Sequence, residues 1–236
     1  MNSPHRIHTA DLRLQMSNFW SGDLGLTLVT ISLAALIFII YPLQVAGLPG
    51  RFFFDLIMLV LMISGALTVR QGRLTTVFMI VIVVMGAVVL WFSWFTSTLF
   101  THKLASFFSV VTSLLYVRIV LHIMFRSGQV TWSRLQGGVC AYLLIGLAWA
   151  SAYELIELFY SHSFHFVSPP ADMNQLTSKL VYFSFATLTT VGFGDVTPLH
   201  PAARSLAIGE AIVGQLLPAI LIATLVSMAL QPHSKS

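Results

Sequence analysis

Six apolar segments constrain this chain more than anything else in it: 24–41, 52–69, 74–95, 104–125, 138–159 and 203–230. A bilayer core takes roughly 20 apolar residues to cross as a helix. With 57% of residues hydrophobic and only 8% charged, no soluble domain of this size could bury the apolar surface. The expected fold class is therefore an all-α membrane protein with six transmembrane helices. Helices are required because backbone polar groups in lipid must be satisfied within their own segment.

The basic residues set the orientation. Arg6, Arg13, Arg70, Arg73, Arg126, Arg134 and Lys235 fall on one side, and Arg51, Lys103, Lys179 and Arg204 on the other. Seven against four puts both termini in the cytoplasm. Trp91 and Trp94 then sit at the outer end of the third segment, as an aromatic belt would. The basic residues are too scattered for nucleic acid, and topology accounts for the net charge of +4. Residues 1–23 are a cytoplasmic N-terminal segment, open between a surface-lying helix and a flexible tail. The first apolar run is too late and too long for a cleavable signal. A lone cysteine, Cys140, excludes a disulfide framework within the chain and reads as a small apolar helix residue.

Between the last two segments lies a different pattern. An amphipathic stretch, 177–189, is too short to span. It leads into Thr189-Thr190-Val191-Gly192-Phe193-Gly194-Asp195. Side chains forbid most L-residues the dihedrals that would turn successive carbonyls to one side. Glycine adopts positive φ at little cost. Alternation of Gly192 and Gly194 with Val191 and Phe193 can turn the carbonyls of Thr190, Val191, Gly192 and Phe193 toward one axis. Those oxygens would replace the water shell of a bare cation, with the Thr190 hydroxyl at the inner end. A glycine-rich turn is the alternative, but the order of short helix, loop and spanning helix favours the ion-binding reading.

This stretch resembles the selectivity filter of potassium channels. Four helices, then helix, re-entrant loop and helix, resemble the six-helix channels of the voltage-gated type. Similarity to bacterial ion-channel-domain proteins is most specific in Tyr153-Glu154-Leu155-Ile156-Glu157, in the filter, in Ala203-Arg204-Ser205-Leu206, and in the run from Glu210 to Leu216. The first four segments match only in number and topology. The resemblance implies a homotetramer, made with three further copies of the chain in the bilayer of the plasma (inner) membrane. It also implies a passive potassium channel with potassium as permeant ligand and no cofactor. The implied units are a four-helix voltage-sensor-like domain, 24–130, a pore domain, 131–230, and a short cytoplasmic tail, 231–236. The tail leaves no room for a ligand-binding domain.

The resemblance also places individual residues. Thr189 would face the cavity below the filter, and Asp195 would lie at the outer mouth, either pairing with Tyr182 or concentrating cations. Tyr182 and Phe183 take the aromatic support positions of the pore helix. Phe193 stands where many relatives have tyrosine, and Ala186 where some have a buried acid. Gly214 and Pro218 are gating-hinge candidates, with close packing and a static bend as the equal alternatives. Glu154 or Glu157, with Arg204, would brace the loop entering the sixth helix. Glu210 lies deeper and should face protein, in a role the sequence leaves open.

A voltage sensor needs roughly 3–4 gating charges per subunit. The fourth segment offers Arg118, His122 and Arg126, the third no acid, and the second only Asp55. Weak or absent voltage dependence is expected, with Arg118 snorkelling or packing. His162 and His165 precede Pro169-Pro170 in a loop, where their spacing does not suit a metal. No nucleotide motif or catalytic constellation is present, so the chain is not expected to be an enzyme. The alternatives to a potassium channel are a poorly selective cation channel and a non-conducting regulatory subunit. A coupled transporter is disfavoured, since no inverted repeat is visible.

Overall fold

The computed structural model describes residues 23–45, 84–86, 88, 98–124 and 132–229. The expected segment 52–69 and most of 74–95, the N-terminal segment to residue 22, Arg126 and the C-terminal tail lie outside the described residues. Those described are mostly helical, and three helices are long and apolar enough to cross a membrane: Leu99–His122, Leu135–Phe159 and Pro201–Thr224. A shorter apolar helix covers Val29–Leu43.

The first element, α1 (Asp23–Ala35), runs into a π-helical turn, Leu36–Ile40, and on into α2 (Tyr41–Val45). The sequence suggests a stop at residue 41, before Pro42. The π-turn explains the continuation. Proline lacks an N–H and crowds the carbonyl one turn back, and widening the preceding turn, with the Tyr41 N–H bonded to Leu36 O, relieves that crowding.

The fourth expected segment is α3 (Leu99–Met124). It starts five residues earlier than hydropathy suggests because Thr98 and Thr101 cap it reciprocally. The Thr101 N–H donates to Thr98 Oγ1 at 3.3 Å, and the Thr98 N–H to Thr101 Oγ1 at 3.1 Å, in the manner of a capping box. The fifth is α4 (Trp132–Phe159), extended at its start through Gln136, which accepts from the Thr27 hydroxyl of α1 at 2.9 Å. The sixth is α6 (Pro201–Ala229). Its proline occupies the first helical position, where a missing N–H does no harm.

The short helix is α5 (Met173–Leu188), four residues longer at its start than the sequence suggests. Asp172 Oδ1 accepts the Gln175 N–H at 2.8 Å and sets that start. Sixteen residues make about 24 Å, short of the roughly 30 Å hydrocarbon core. Two strands, β1 (Phe164–Phe166) and β2 (Val196–Pro198), flank α5 in sequence and pair antiparallel with His165 opposite Thr197.

α4 is the central element. Of its span, 61% is buried, against 22% for α3 and 17% for α6. One core joins α1, the π-turn, α2, α3, α4 and α5 through Leu33, Leu36, Tyr41, Val117, Leu144 and Val181. Cys140, fully buried, belongs to it as the small apolar residue expected. A second core gathers Tyr153, Phe164, Leu180, Phe183, Val196 and Ala203 beside the strands. Polar contacts add to the helix contacts where lipid offers no hydrophobic drive. Ser109 and Ser151 join α3 to α4 at 2.8 Å.

Glycines let α5 approach its neighbours. A Cβ on Gly146 would lie 2.6 Å from the Phe185 ring, and one on Gly214 only 1.9 Å from Leu188 O. The second obstacle is backbone at the end of α5, which cannot rotate away. At Gly209 an added Cβ would meet Trp149 at an ordinary 3.5 Å. Gly214→Ala should therefore lower the thermal midpoint of the purified protein, overpacking by about 1–3 kcal/mol. Gly209→Ala should leave it equal or higher, since alanine favours helix by up to about 1 kcal/mol. Equal midpoints for the two variants would contradict the close approach of α6 to α5.

Candidate functional site

The site begins where α5 stops. The Thr189 N–H and the Thr189 hydroxyl both donate to Phe185 O, at 3.0 and 2.6 Å. The Thr190 N–H turns back to Thr187 O at 2.9 Å. The Val191 and Gly192 N–H groups then share Ala186 O, at 2.9 and 3.1 Å. These bonds reverse the chain, so the loop returns beside the helix that leads into it.

The φ angles along the loop alternate. Thr190, Gly192 and Gly194 lie at +59°, +56° and +80°, and the intervening Val191 and Phe193 are not in the positive-φ region. The glycines are the two the sequence marks out, and Thr190 extends the pattern one step inward. A β-branched residue in the left-handed region is a true outlier, costing of order 1–3 kcal/mol. It persists here because bonds to Phe185, Ala186 and Thr187 fix the chain on both sides of it. The loop is open to its surroundings: Val191 is 54% and Phe193 69% exposed.

Tyr182 of α5 supports the loop from one side. Its ring stacks on Phe193 with centroids 6.0 Å apart and planes 11° from parallel. Its hydroxyl bonds the Asp195 carboxylate, and desolvation, that bond and the nearby negative charge push the hydroxyl above the ordinary tyrosine range. Of the two sequence readings of Asp195, the pairing with Tyr182 is the one the geometry contains. Asp195 also accepts the Val167 N–H at its carbonyl, 3.0 Å, and the Val196 N–H at Oδ1, 3.1 Å.

Phe183, the other expected support position, packs edge-on against Tyr153 and Phe164 at 5.0 and 5.4 Å. One residue turns a helix by roughly 100°, so adjacent aromatics cannot serve the same face.

The brace candidates divide their roles. Glu157 accepts the N–H groups of His162 at 3.0 Å and Phe164 at 3.2 Å, one on each oxygen. It thereby closes the turn after α4, where His162 takes φ +65°. Ser163 O in that turn accepts from Leu199 and His200, just before α6, so the carboxylate supports the entry to α6 through one intermediate. Glu154 bonds Ser106 of α3 and Thr177 of α5. Arg204 does not pair with either glutamate, as the sequence reading had it, but donates from Nε to Pro198 O at 3.0 Å.

Gly214 packs on the end of α5, as described above, and α6 runs unbroken through Pro218. His162 and His165 are exposed, on a turn and on β1, and among the described residues no group of three His, Cys, Asp or Glu could hold a metal. Arg118 and His122 lie exposed on α3.

Three partners of this frame escaped the sequence reading. Ser184 bonds Gly146 O at 2.7 Å and Glu210 Oε1 at 2.5 Å. Tyr153 donates to Glu210 Oε2 at 2.6 Å, and Tyr142 to Leu188 O at 3.2 Å. Glu210, left without a role by the sequence, is fully buried. The available signal for Ser184 was its place four residues after Leu180 on the buried face of an amphipathic helix.

Residues 149–231 match the family model described as ion channel. The match covers 83 of the chain's 236 residues, and makes that part similar to an ion-channel domain. The match opens in the second half of α4 and takes in α5, the loop and α6, the elements that build the site. Two curated relatives are both named Protein LctB. The one from Bacillus caldotenax is 36% identical over 84 residues, 34% of this chain and 61% of the relative. The one from Geobacillus stearothermophilus is 35% identical over 78 residues, 32% of this chain and 58% of the relative. The chain thus covers less than two thirds of either relative's length, and their name states no activity. No solved structure matches significantly.

Removing the Glu157 carboxylate should release two amides at once. In Glu157→Ala, hydrogen exchange at His162 and Phe164 should quicken by about tenfold or more, since hydrogen bonds to a charged group contribute about 1.5–3 kcal/mol. Unchanged exchange at both amides would show that the turn holds without its carboxylate.

Proposed function

We propose that this chain is a passive potassium channel in which four copies surround one pore. The carbonyls of Thr190, Val191, Gly192 and Phe193 line its filter. The observation that carries the reading is the alternation of left-handed φ at Thr190, Gly192 and Gly194 in an exposed loop at the end of a short, well-anchored helix. That alternation is what stacked rings of backbone oxygens require. Irregular backbone at membrane depth persists only when buried or lining water, and one copy encloses nothing. On this reading α5 is the re-entrant pore helix, its carbonyl end toward a cavity below the filter that Thr189 faces. Asp195 stands at the outer mouth, and Gly214 and Pro218 of α6 are the places where that helix bends on opening. Residues 24–130 are a sensor-like unit and 131–230 the pore unit, in the plasma membrane with both termini cytoplasmic. Arg118 and His122 are too few to give steep voltage dependence.

A poorly selective cation channel is the second reading. Phe193 favours it: with no hydroxyl of its own, its ring is supported by the stack on Tyr182, so the outer half of the filter has fewer hydrogen bonds to fix its width. The protein in a planar bilayer, with potassium on one side and sodium on the other, separates the two. A reversal potential near that of potassium, with conductance varying little with voltage, supports the first reading, and a reversal near zero the second. Gly192→Ala forces a side chain onto φ +56° and should abolish the current. Normal potassium current through an assembled Gly192→Ala variant would remove the filter assignment and favour a regulatory subunit.

A further inference from the structure

The oxygens around Glu210 pose a count of protons. Tyr153 Oη lies 2.6 Å from Oε2, Ser184 Oγ 2.5 Å from Oε1, and the same Ser184 Oγ 2.7 Å from Gly146 O. Three oxygen–oxygen contacts this short need three protons, because two oxygens with none between them repel. The tyrosine and the serine bring one each. Gly146 O is a carbonyl and brings none. If Ser184 donates to Gly146 O, its contact with Glu210 has a proton only if the carboxyl supplies it. If Ser184 donates to Glu210, the contact with Gly146 O is left with none. Glu210 is fully buried, and among the described residues its partners are two hydroxyls and no cation. Tyr142 is the other ionisable group that faces it, and the Tyr142 hydroxyl is engaged with Leu188 O.

We infer that Glu210 carries its proton in the folded protein and works as a neutral hydrogen-bond relay. Tyr153 donates to Oε2, the carboxyl O–H at Oε1 donates to Ser184, and Ser184 donates to Gly146 O. Each of the three protons then has one donor and one acceptor, and no charge is buried. The relay touches three elements: α6 through Glu210, α5 through Ser184, and α4 through Tyr153 and Gly146. It holds the pore helix four residues before its last residue, so Glu210 is a positioning residue for the loop beyond. A carboxylate here would carry an unpaired charge in a buried site and would lose one contact of the three.

The inference makes an unusual demand on the conservative variant. Glutamine presents one carbonyl oxygen and one N–H donor face. It can accept from Tyr153 and donate to Ser184 as the protonated acid does. Where a carboxylate is required, glutamine fails.

The test uses the full chain in lipid vesicles at neutral pH. Infrared difference spectra between wild type and Glu210→Gln should show the C=O stretch of a protonated carboxylic acid that the variant lacks. Glu154→Gln should leave that band in place. Tyr153→Phe removes the donor to Oε2 and should move the band to higher frequency. Glu210→Gln should unfold close to wild type, and Ser184→Ala several degrees lower. Absence of the band, or a Gln variant as unstable as Ser184→Ala, overturns the relay. The functional role rests on the channel reading and is tested separately. Glu210→Gln should keep the wild-type reversal potential, and Ser184→Ala should shift it. A wild type that passes no ion yet shows the band would reject the channel and leave the relay standing.

Discussion

The Ala186 carbonyl accepts from both Val191 and Gly192, and most of what surrounds it serves to keep it in place. On the channel reading the chain leaves α5 at membrane depth, where the protein itself must satisfy backbone groups away from the pore. Here the last turn of α5 does so by folding the loop onto its own carbonyls at Phe185, Ala186 and Thr187. The loop is therefore positioned only as well as α5 is. That explains why α5, too short to span a bilayer, is gripped from so many directions.

The grip is made of small residues and hydroxyls, with little reliance on bulk. Gly146 admits the Phe185 ring, Gly214 admits Leu188 O, and Tyr142 reaches the same carbonyl from α4. Lipid is as apolar as leucine, so apolar burial does little to draw helices together in a membrane. Close packing and interhelical hydrogen bonds must do more. The two cores divide the work. One fixes α1 and α3 to α4 and reaches α5 through Val181. The other, around Tyr153 and Phe183, ties α5 to the strands and to the start of α6. Tyr153 belongs to the second core by its ring and to the Glu210 cluster by its hydroxyl, so the apolar and polar supports of α5 meet in one side chain.

Hydropathy alone marked the fourth, fifth and sixth segments, because an apolar run of that length has few other uses. Their ends were not legible. Thr98, Asp172 and Pro201 start helices in polar sequence, where a cap and not hydropathy decides. Gly192 and Gly194 announced a positive-φ alternation. Thr190 did not, since a threonine enters that region only when its neighbours are fixed, which is a property of the fold. Glu157 was legible as a brace candidate only through the family resemblance, which did not tell it from Glu154. The partners of Glu210 were not, because Tyr153 and Ser184 lie 57 and 26 residues away from it in sequence, and no local pattern links them.

The two faces of α6 carry the argument from one chain toward an assembly. Ala203, Glu210, Gly214 and Leu221 are buried against this chain, while Ile208, Ile212, Leu216 and Ile220 are each more than half exposed. The exposed residues recur every four positions, so they make one stripe along the helix. Lipid can cover such a stripe, but lipid cannot cover the open backbone of the loop that follows α5. An open loop with three left-handed residues needs polar surroundings on its free side, and within a membrane those come from water in a pore or from other copies of the loop. On the channel reading both requirements are met together. Copies that pack along α6 bring their loops around a common axis, and the strain held at Thr190 gains its use as one layer of oxygens facing the ion.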